Sequence, residues 1–152
     1  TYSGRIDSIN FALNNDDGLS TKNYEHADII LTGVSRSGKT PTCLFLALQY
    51  GIYAANYPLI DEDLDSVKLP SVLKPFKNKL YGLSINPIRL QNIRDERRSN
   101  SGYASIEQCQ REVRRAEDMY VQNAVPFIDT SHISIEEIAG RILQKSKLER
   151  RY

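Results

Sequence analysis

One segment near the start of the chain restricts its possible folds more than any other. Residues 33–40 match the spacing G-x-x-x-x-G-K-[ST] of a loop that cradles phosphate. The residues of this loop are Gly33, Val34, Ser35, Arg36, Ser37, Gly38, Lys39 and Thr40. Residues 28–32 predict a short buried strand that leads into the loop, and residues 42–50 predict an apolar helix that leaves it and stops at Gly51. This context favours phosphate binding over the alternative, a glycine-rich turn that matches by chance.

The chemistry of phosphate binding accounts for the residue types in this loop. Gly33 and Gly38 are expected to adopt backbone angles that a Cβ would forbid, so that the chain curls around an anion. Successive N–H groups then form an anion nest, and the N-terminus of the following helix adds partial positive charge. Lys39 supplies an ammonium for the terminal phosphates, and the Thr40 hydroxyl is placed to hold Mg²⁺. Pro41 falls in the first helical turn, where its missing N–H costs little.

Composition predicts one ordinary globular domain. The chain has 152 residues, of which 40% are hydrophobic and 26% are charged. Lys and Arg total 20 against 19 Asp and Glu, so charge favours neither a nucleic acid nor a membrane surface as partner. No apolar run has the length of a membrane span. Cys43 and Cys109 are expected to be buried free thiols of a cytoplasmic protein, and neither histidine has metal-ligand spacing.

The start of the chain predicts a truncated protein, because the first residue is Thr1 and not Met, and the first residues resemble the middle of a chain. No secretory signal is found at the start. We expect residues 1–25 to be a connecting segment, with a weakly amphipathic helix near residues 6–13 and a polar turn at residues 14–18. Residues 26–152 are expected to form the phosphotransferase domain.

The order of the elements predicts an α/β fold: a P-loop kinase-like parallel sheet with helices on both faces. Further strands are predicted at residues 54–59, 80–85 and 125–130, and helices at 69–79, 88–98, 105–123 and from about 135 onward. Ligands of such sheets bind at the carboxyl ends of the strands, which puts Asn56, Tyr57 and Pro58 near the phosphate end. The acidic run at residues 61–63 also falls there, and it is interpreted as a solvated helix cap in preference to a catalytic group.

Two further features suggest groups that would act on a phosphate, and each has a structural alternative. The helix over 88–98 carries Arg89, Arg94, Arg97 and Arg98, and a polar hinge follows at residues 99–103. Such a segment suits a lid that shields phosphoryl charge, although a solvated face with local ion pairs would have the same composition. Asp129 ends an apolar strand, where a Mg²⁺-side carboxylate is often placed, but a turn before the next helix would also use an aspartate there.

Several runs together resemble one family, the phosphoenolpyruvate synthase regulatory proteins. The runs that carry the resemblance are residues 33–42, 46–52, 54–58, 80–83, 93–98 and 103–105. The likeness extends from about Asp16 to the end of the last helix. The Val-Ser-Arg filling of the loop, followed by Lys-Thr-Pro, is its most specific part. Family chains carry an N-terminal region before this part, and that region is absent from this sequence.

The resemblance implies a bifunctional enzyme that acts on a threonine of a dikinase. ADP would be the phosphoryl donor in the inactivating direction. In the activating direction, inorganic phosphate would remove the group and release pyrophosphate. Residues 49–52 and 56–58 favour phosphoenolpyruvate synthase as the protein partner over pyruvate, phosphate dikinase, the target of a related set. The family identifies no catalytic base, and a homodimer is left open.

From this resemblance follows a hypothesis for the site. The loop and Lys39 would hold the diphosphate of ADP, Thr40 and Asp129 would place Mg²⁺, and Arg94 and Arg97 would close over the moving group. Three other functions remain open: a small-molecule P-loop kinase, a nucleotide-dependent switch and a purely structural domain. The switch is disfavoured because the chain lacks the guanine-reading motif N-K-x-D.

Overall fold

A computed structural model describes residues 2–16, 21–97 and 102–148. The helices are α1 (Tyr2–Asn14), α2 (Lys39–Tyr50), α3 (Asp61–Leu64), α4 (Pro87–Arg97), α5 (Ile106–Gln122) and α6 (Ile135–Ser146). The strands are β1 (Ile29–Gly33), β2 (Ala54–Pro58), β3 (Leu80–Ser84) and β4 (Phe127–Asp129), and 3-10 helices span Thr21–His26, Lys74–Lys79 and Gly102–Ala104. Within the described ranges, no helix is long and apolar enough to cross a membrane.

The four strands form one parallel sheet in the order β2-β1-β3-β4. In register, Leu31 of β1 lies between Asn56 of β2 and Tyr81 of β3. The chain leaves β1 for one neighbouring strand and later returns to place β3 on the other side. The crevice at the carboxyl ends of β1 and β3 is therefore the topological switch point at which such sheets bind ligands. The segment at residues 33–40 begins at this point.

Helices cover both faces of the sheet, as the sequence predicts. Successive residues of a strand point to opposite faces, and the central strand is buried on both. Ile29 and Leu31 pack in a core with residues of α1, α2 and α6. Ile30 packs in a second core with residues of α4 and α5. The predicted α/β fold, with a parallel sheet between two layers of helices, is confirmed.

The structure corrects one predicted helix. Residues 69–79 form a turn followed by a 3-10 helix, whereas the sequence pattern predicts a single short helix over the whole range. Pro70 and Pro75 both lack an N–H, so a continuous α-helical hydrogen-bond ladder is interrupted within these eleven residues. The turn is closed instead by a hydrogen bond from the Leu73 amide to the Pro70 carbonyl oxygen (2.9 Å). The other predicted helices and strands are present, but they begin or end a few residues away from the predicted positions.

Helix α5 is fixed to the sheet through Tyr120. Its ring is fully buried over Gly82 of β3, where an added Cβ would lie 2.6–2.7 Å from the ring atoms. Its hydroxyl donates to the carbonyl oxygens of Thr32 (3.1 Å) and Leu83 (3.0 Å), at the carboxyl ends of β1 and β3. Burial raises the pKa of Tyr120 well above its ordinary value, so the hydroxyl stays protonated. This contact holds together the two strands that flank the switch point.

Candidate functional site

The loop at residues 33–40 joins the end of β1 to the start of α2. Gly38 directly precedes α2 and has φ 99°, a left-handed conformation that an L side chain rarely adopts. Arg36 also lies in the left-handed region, at φ 71°, and its side chain is exposed. A non-glycine residue in this region costs about 1–3 kcal/mol, and such strain is concentrated at ligand-binding segments. The predicted curl of the backbone is present, and Pro41 lies in the first turn of α2 as expected.

Gly33 has a different role from the one the sequence suggests. Its φ is not positive, so freedom of backbone angle is not what the position requires. An added Cβ would lie 2.6 Å from Ser37 Oγ and 3.0 Å from the Leu83 carbonyl oxygen. Glycine is needed here because the loop folds back closely onto β1 and β3. The expectation of a forbidden backbone angle is confirmed for Gly38 and wrong for Gly33.

The interior of the loop is organised around the carbonyl oxygen of Val34. It accepts hydrogen bonds from the Ser37 amide (3.2 Å), the Ser37 hydroxyl (2.8 Å) and the Lys39 ammonium (2.9 Å). Lys39 is only 4% exposed, so its charge is held inside the loop. The loop is therefore compact and carries a buried cation at the start of α2.

The mouth of the loop offers N–H donors beside a cavity. Among the described residues, no hydrogen-bond acceptor is found for the amides of Ser35, Arg36 and Gly38. The first turn of α2 contains no acidic residue of its own, and the N-terminus of a helix carries partial positive charge. A cavity of about 440 Å³ opens at this place. Its lining residues are Ser35, Arg36, Gly38, Lys39, Thr40, Pro41 and Pro58. Free amides, a helix N-terminus and a lysine at one opening suit an anion.

Arg94 stabilises the loop through hydrogen bonds to its backbone. Its side chain is fully buried, and its guanidinium donates to the Ser35 carbonyl oxygen from Nε (3.3 Å) and Nη2 (3.0 Å). It also pairs with both carboxylate oxygens of Glu112, at 2.9 and 3.1 Å. Burial alone would lower the pKa of Arg94, but the hydrogen bonds and charge of Glu112 outweigh that effect and the net shift is upward. Arg94 is therefore a permanently charged anchor for the loop.

The anchor also fixes the direction of a loop amide. The described residues contain no cis peptide bond, and in a trans peptide the C=O and the following N–H point in opposite directions. Since Arg94 holds the Ser35 carbonyl, the Arg36 N–H is directed away from Arg94. Tyr103 contacts both Ser35 and Arg94. Its hydroxyl lies 2.8 Å from Ser35 Oγ, and its ring centroid lies 4.4 Å from the Arg94 guanidinium carbon. Both contacts would favour the nest conformation of the loop.

Thr40 contacts the carboxylate of Asp16, which the sequence pattern does not mark as a site residue. Its hydroxyl donates to Asp16 Oδ1 at 2.6 Å, and the same oxygen accepts from Asn56 Nδ2 at 2.6 Å. Asp16 lies in the predicted polar turn, where the pattern suggested no chemistry. The prediction that Asn56 lies near the phosphate end agrees with its hydrogen bond to Asp16, the residue that contacts Thr40. No local sequence pattern points to a site role for Asp16, because its contact with Thr40 joins residues 24 positions apart in sequence.

Asp129 lies at the end of β4 but not in the cavity that Thr40 lines. Its Oδ1 accepts from the amide (2.8 Å) and the hydroxyl (2.5 Å) of Ser131, which is the geometry of the predicted turn. It borders another cavity, of about 470 Å³, with Glu117 and Arg114. The neighbouring Thr130 reaches the loop instead, through a hydroxyl 3.3 Å from the Ser37 carbonyl oxygen. The metal role of Asp129 stays a prediction.

The remaining candidates lie at the surface. Arg97 is exposed in the last turn of α4, and its lid role stays a prediction. Arg98 and residues 99–101 of the predicted hinge fall outside the described residues. In the acidic run, Asp63 accepts from the Ile60 amide at 3.1 Å, as a helix cap does, and Asp61 lies 3.9 Å from Arg111. Across the described ranges, no three His, Cys, Asp or Glu side chains form a group that would hold a metal.

Comparison with known proteins identifies the family. The sequence profile of the kinase/pyrophosphorylase family matches residues 1–143. The chain belongs to the kinase/pyrophosphorylase family. Membership makes it part of a phosphotransferase family, in agreement with a loop that suits phosphate.

Curated relatives are similar over almost the whole chain. Proteins from Neisseria gonorrhoeae, Dichelobacter nodosus and Laribacter hongkongensis are each 58% identical over 151 residues, 99% of this chain. Each is provisionally named a phosphoenolpyruvate synthase regulatory protein. The chain spans only 55–56% of the length of these relatives. The predicted family resemblance is confirmed.

Proposed function

We propose that this chain carries the nucleotide-binding part of a regulator that phosphorylates and dephosphorylates phosphoenolpyruvate synthase. In the inactivating reaction, the β-phosphoryl group of ADP is transferred to a threonine hydroxyl of the synthase, leaving AMP. In the activating reaction, inorganic phosphate attacks the phosphothreonine, which restores the hydroxyl and releases pyrophosphate. The names of the relatives and the kinase/pyrophosphorylase family support this choice of target and chemistry.

The observation that carries the proposal is the loop between β1 and α2. One cavity at the switch point of the sheet is lined by buried Lys39 and by the start of α2. Arg36 and Gly38 also line it, and their amides have no acceptor among the described residues. Phosphoryl transfer needs little covalent help from a protein and depends mainly on positioning and charge stabilisation. These residues offer both for the diphosphate of ADP.

Within this proposal each residue has a stated task. The amides bind the phosphate oxygens, and Lys39 leaves the Val34 carbonyl to contact the terminal phosphate. Thr40 is placed to hold Mg²⁺, which when bound neutralises charge on the phosphate oxygens. Arg94 acts as a positioning residue because its guanidinium is committed to Ser35 and Glu112. Arg97 is exposed and is the proposed residue for shielding the group in transit.

One pocket would serve both directions. The terminal phosphate of ADP and the attacking inorganic phosphate are anions of similar shape, and both suit a site lined with N–H donors and a lysine. Inorganic phosphate already carries nucleophilic oxygens, so the activating reaction requires no strong base. This agrees with a cavity whose described lining includes Lys39 and Arg36 but no carboxylate.

The decisive experiment uses the protein at its full natural length. It is mixed with phosphoenolpyruvate synthase and ADP, and the synthase is analysed for phosphothreonine by mass spectrometry while AMP is quantified. We expect one AMP for each phosphothreonine, and release of pyrophosphate after phosphate is added. Modification of pyruvate, phosphate dikinase alone would reassign the target. ATP-dependent phosphorylation of a small molecule, with no change in either protein, would contradict the proposal.

A further inference from the structure

We propose that Asp16 is the carboxylate that binds Mg²⁺ together with Thr40 when the chain takes up magnesium ADP. This inference rests on the proposed function and assigns its metal site to a residue that precedes the first strand. Asp16 lies 17 positions before Gly33 in the sequence, and its carboxylate reaches the beginning of α2.

The Asp16 carboxylate lies at the start of α2. Asp16 Oδ1 is 2.6 Å from the hydroxyl of Thr40, and Thr40 lines the cavity at the loop. The hydroxyl donates a hydrogen bond to Asp16, so the lone pairs of the Thr40 oxygen remain available to a cation. A carboxylate and a hydroxyl, completed by phosphate oxygens and water, form a donor set that Mg²⁺ commonly uses.

The Asp16 carboxylate is held in place by β2. Asn56 is fully buried in β2 and donates from Nδ2 to Asp16 Oδ1 at 2.6 Å. Its backbone amide donates to the Asn15 carbonyl oxygen at 3.2 Å, which ties the turn to the sheet. The side-chain oxygen of Asn15 is buried and has no hydrogen-bond partner among the described residues. The turn thus supplies a fixed carboxylate and a second, unsatisfied oxygen next to it in the chain.

The charge of Asp16 affects how a diphosphate binds. Asp16 contacts Thr40, which lines the cavity, and a carboxylate so placed repels a bound diphosphate unless a cation lies between them. Asp16 would therefore make ADP binding depend on Mg²⁺, with weak binding when the metal is removed. Asp129 does not meet the same conditions, because it is bonded to Ser131 and borders a different cavity.

The test measures how strongly Mg²⁺ improves ADP binding. ADP is titrated calorimetrically into the full-length protein, once with excess Mg²⁺ and once with EDTA, and the ratio of the two affinities is compared between variants. We expect at least a tenfold ratio for the natural protein. In Asp16→Asn the ratio should fall to within threefold of one, with affinity in EDTA unchanged or higher. Asp7→Asn, an exposed substitution on α1, should keep the natural ratio.

A second readout follows the metal itself. Mn²⁺ replaces Mg²⁺, and its binding in the presence of ADP is measured by electron paramagnetic resonance. Asp16→Asn should weaken Mn²⁺ binding at least tenfold, and Asp16→Ser provides the same comparison should the asparagine variant fail to fold. A natural ratio and natural Mn²⁺ affinity in the folded variant would overturn the assignment. So would loss of both in Asp129→Asn alone. Failure of the natural protein to bind ADP in either buffer would instead contradict the proposed function.

Discussion

Arg94 and Glu112 form a two-point ion pair in the interior, with N–O distances of 2.9 and 3.1 Å. The Arg94 side chain is fully buried, and that of Glu112 is 10% exposed. Gln108 donates a further hydrogen bond to the same carboxylate at 2.8 Å. The pair connects α4 to α5 and, through the Ser35 carbonyl, connects both helices to the loop. Breaking this ion pair should therefore destabilise the fold and disturb the loop at residues 33–40.

Glu112→Gln should destabilise the fold by about 3 kcal/mol, because it leaves a buried guanidinium without its counter-charge. The free energy of unfolding is measured by urea denaturation. The matched control is Glu137→Gln, which breaks the exposed pair between Glu137 and Arg141 and should change stability by about 0.5 kcal/mol or less. Equal effects of the two substitutions would show that the interior pair has no special weight.

Arg94→Lys should weaken ADP binding, although Arg94 contacts the Ser35 carbonyl and does not line the cavity. Lysine keeps the charge but lacks the planar fork that reaches Ser35 and Glu112 together. Loss of one charge-assisted hydrogen bond to the loop corresponds to about a tenfold lower affinity. Calorimetry with ADP measures the effect, and Arg89→Lys on the exposed face of α4 is the control. Unchanged affinity in a folded Arg94→Lys variant would remove the positioning role.

Two glycine substitutions should change stability in opposite directions. In Gly82→Ala the new Cβ meets the Tyr120 ring at 2.6–2.7 Å, and the resulting overpacking should cost about 1–3 kcal/mol. In Gly140→Ala, within α6, the Cβ enters open space and should stabilise the helix by up to about 1 kcal/mol. Thermal unfolding of both variants measures the difference. A neutral Gly82→Ala would contradict the close packing of α5 on β3.

Cys109 should react slowly with thiol reagents in the native protein. Burial raises the pKa of its thiol, an effect that outweighs the opposing charge of Arg94. A raised pKa leaves less thiolate at a given pH, and the thiolate is the reactive form, so labelling at pH 8 should be slow. Cys43 is also buried. Both thiols should react rapidly after denaturation in guanidinium chloride. Fast native labelling of Cys109 would contradict its placement.

Sequence reasoning predicted the features that depend on local patterns. The strand and helix that flank the loop, and the left-handed backbone at Gly38, follow from residue types at short spacing, and the structure confirms them. The pairing of Asp16 with Thr40, and of Arg94 with Glu112, depends on tertiary packing between distant segments. Arg94 was therefore interpreted as a surface lid residue from its polar neighbourhood, although it is buried. No local pattern distinguishes a buried arginine from an exposed one.

The central claim, that the loop binds the diphosphate of ADP, is tested most directly by Lys39→Ala. Loss of one charge-assisted contact costs about 1.5–3 kcal/mol, which corresponds to roughly a ten- to hundredfold lower affinity. ADP affinity is measured by calorimetry for the natural protein, for Lys39→Ala and for Lys74→Ala, an exposed control outside the loop. We predict that only Lys39→Ala loses affinity by this amount. Natural ADP affinity in a folded Lys39→Ala variant would contradict the account.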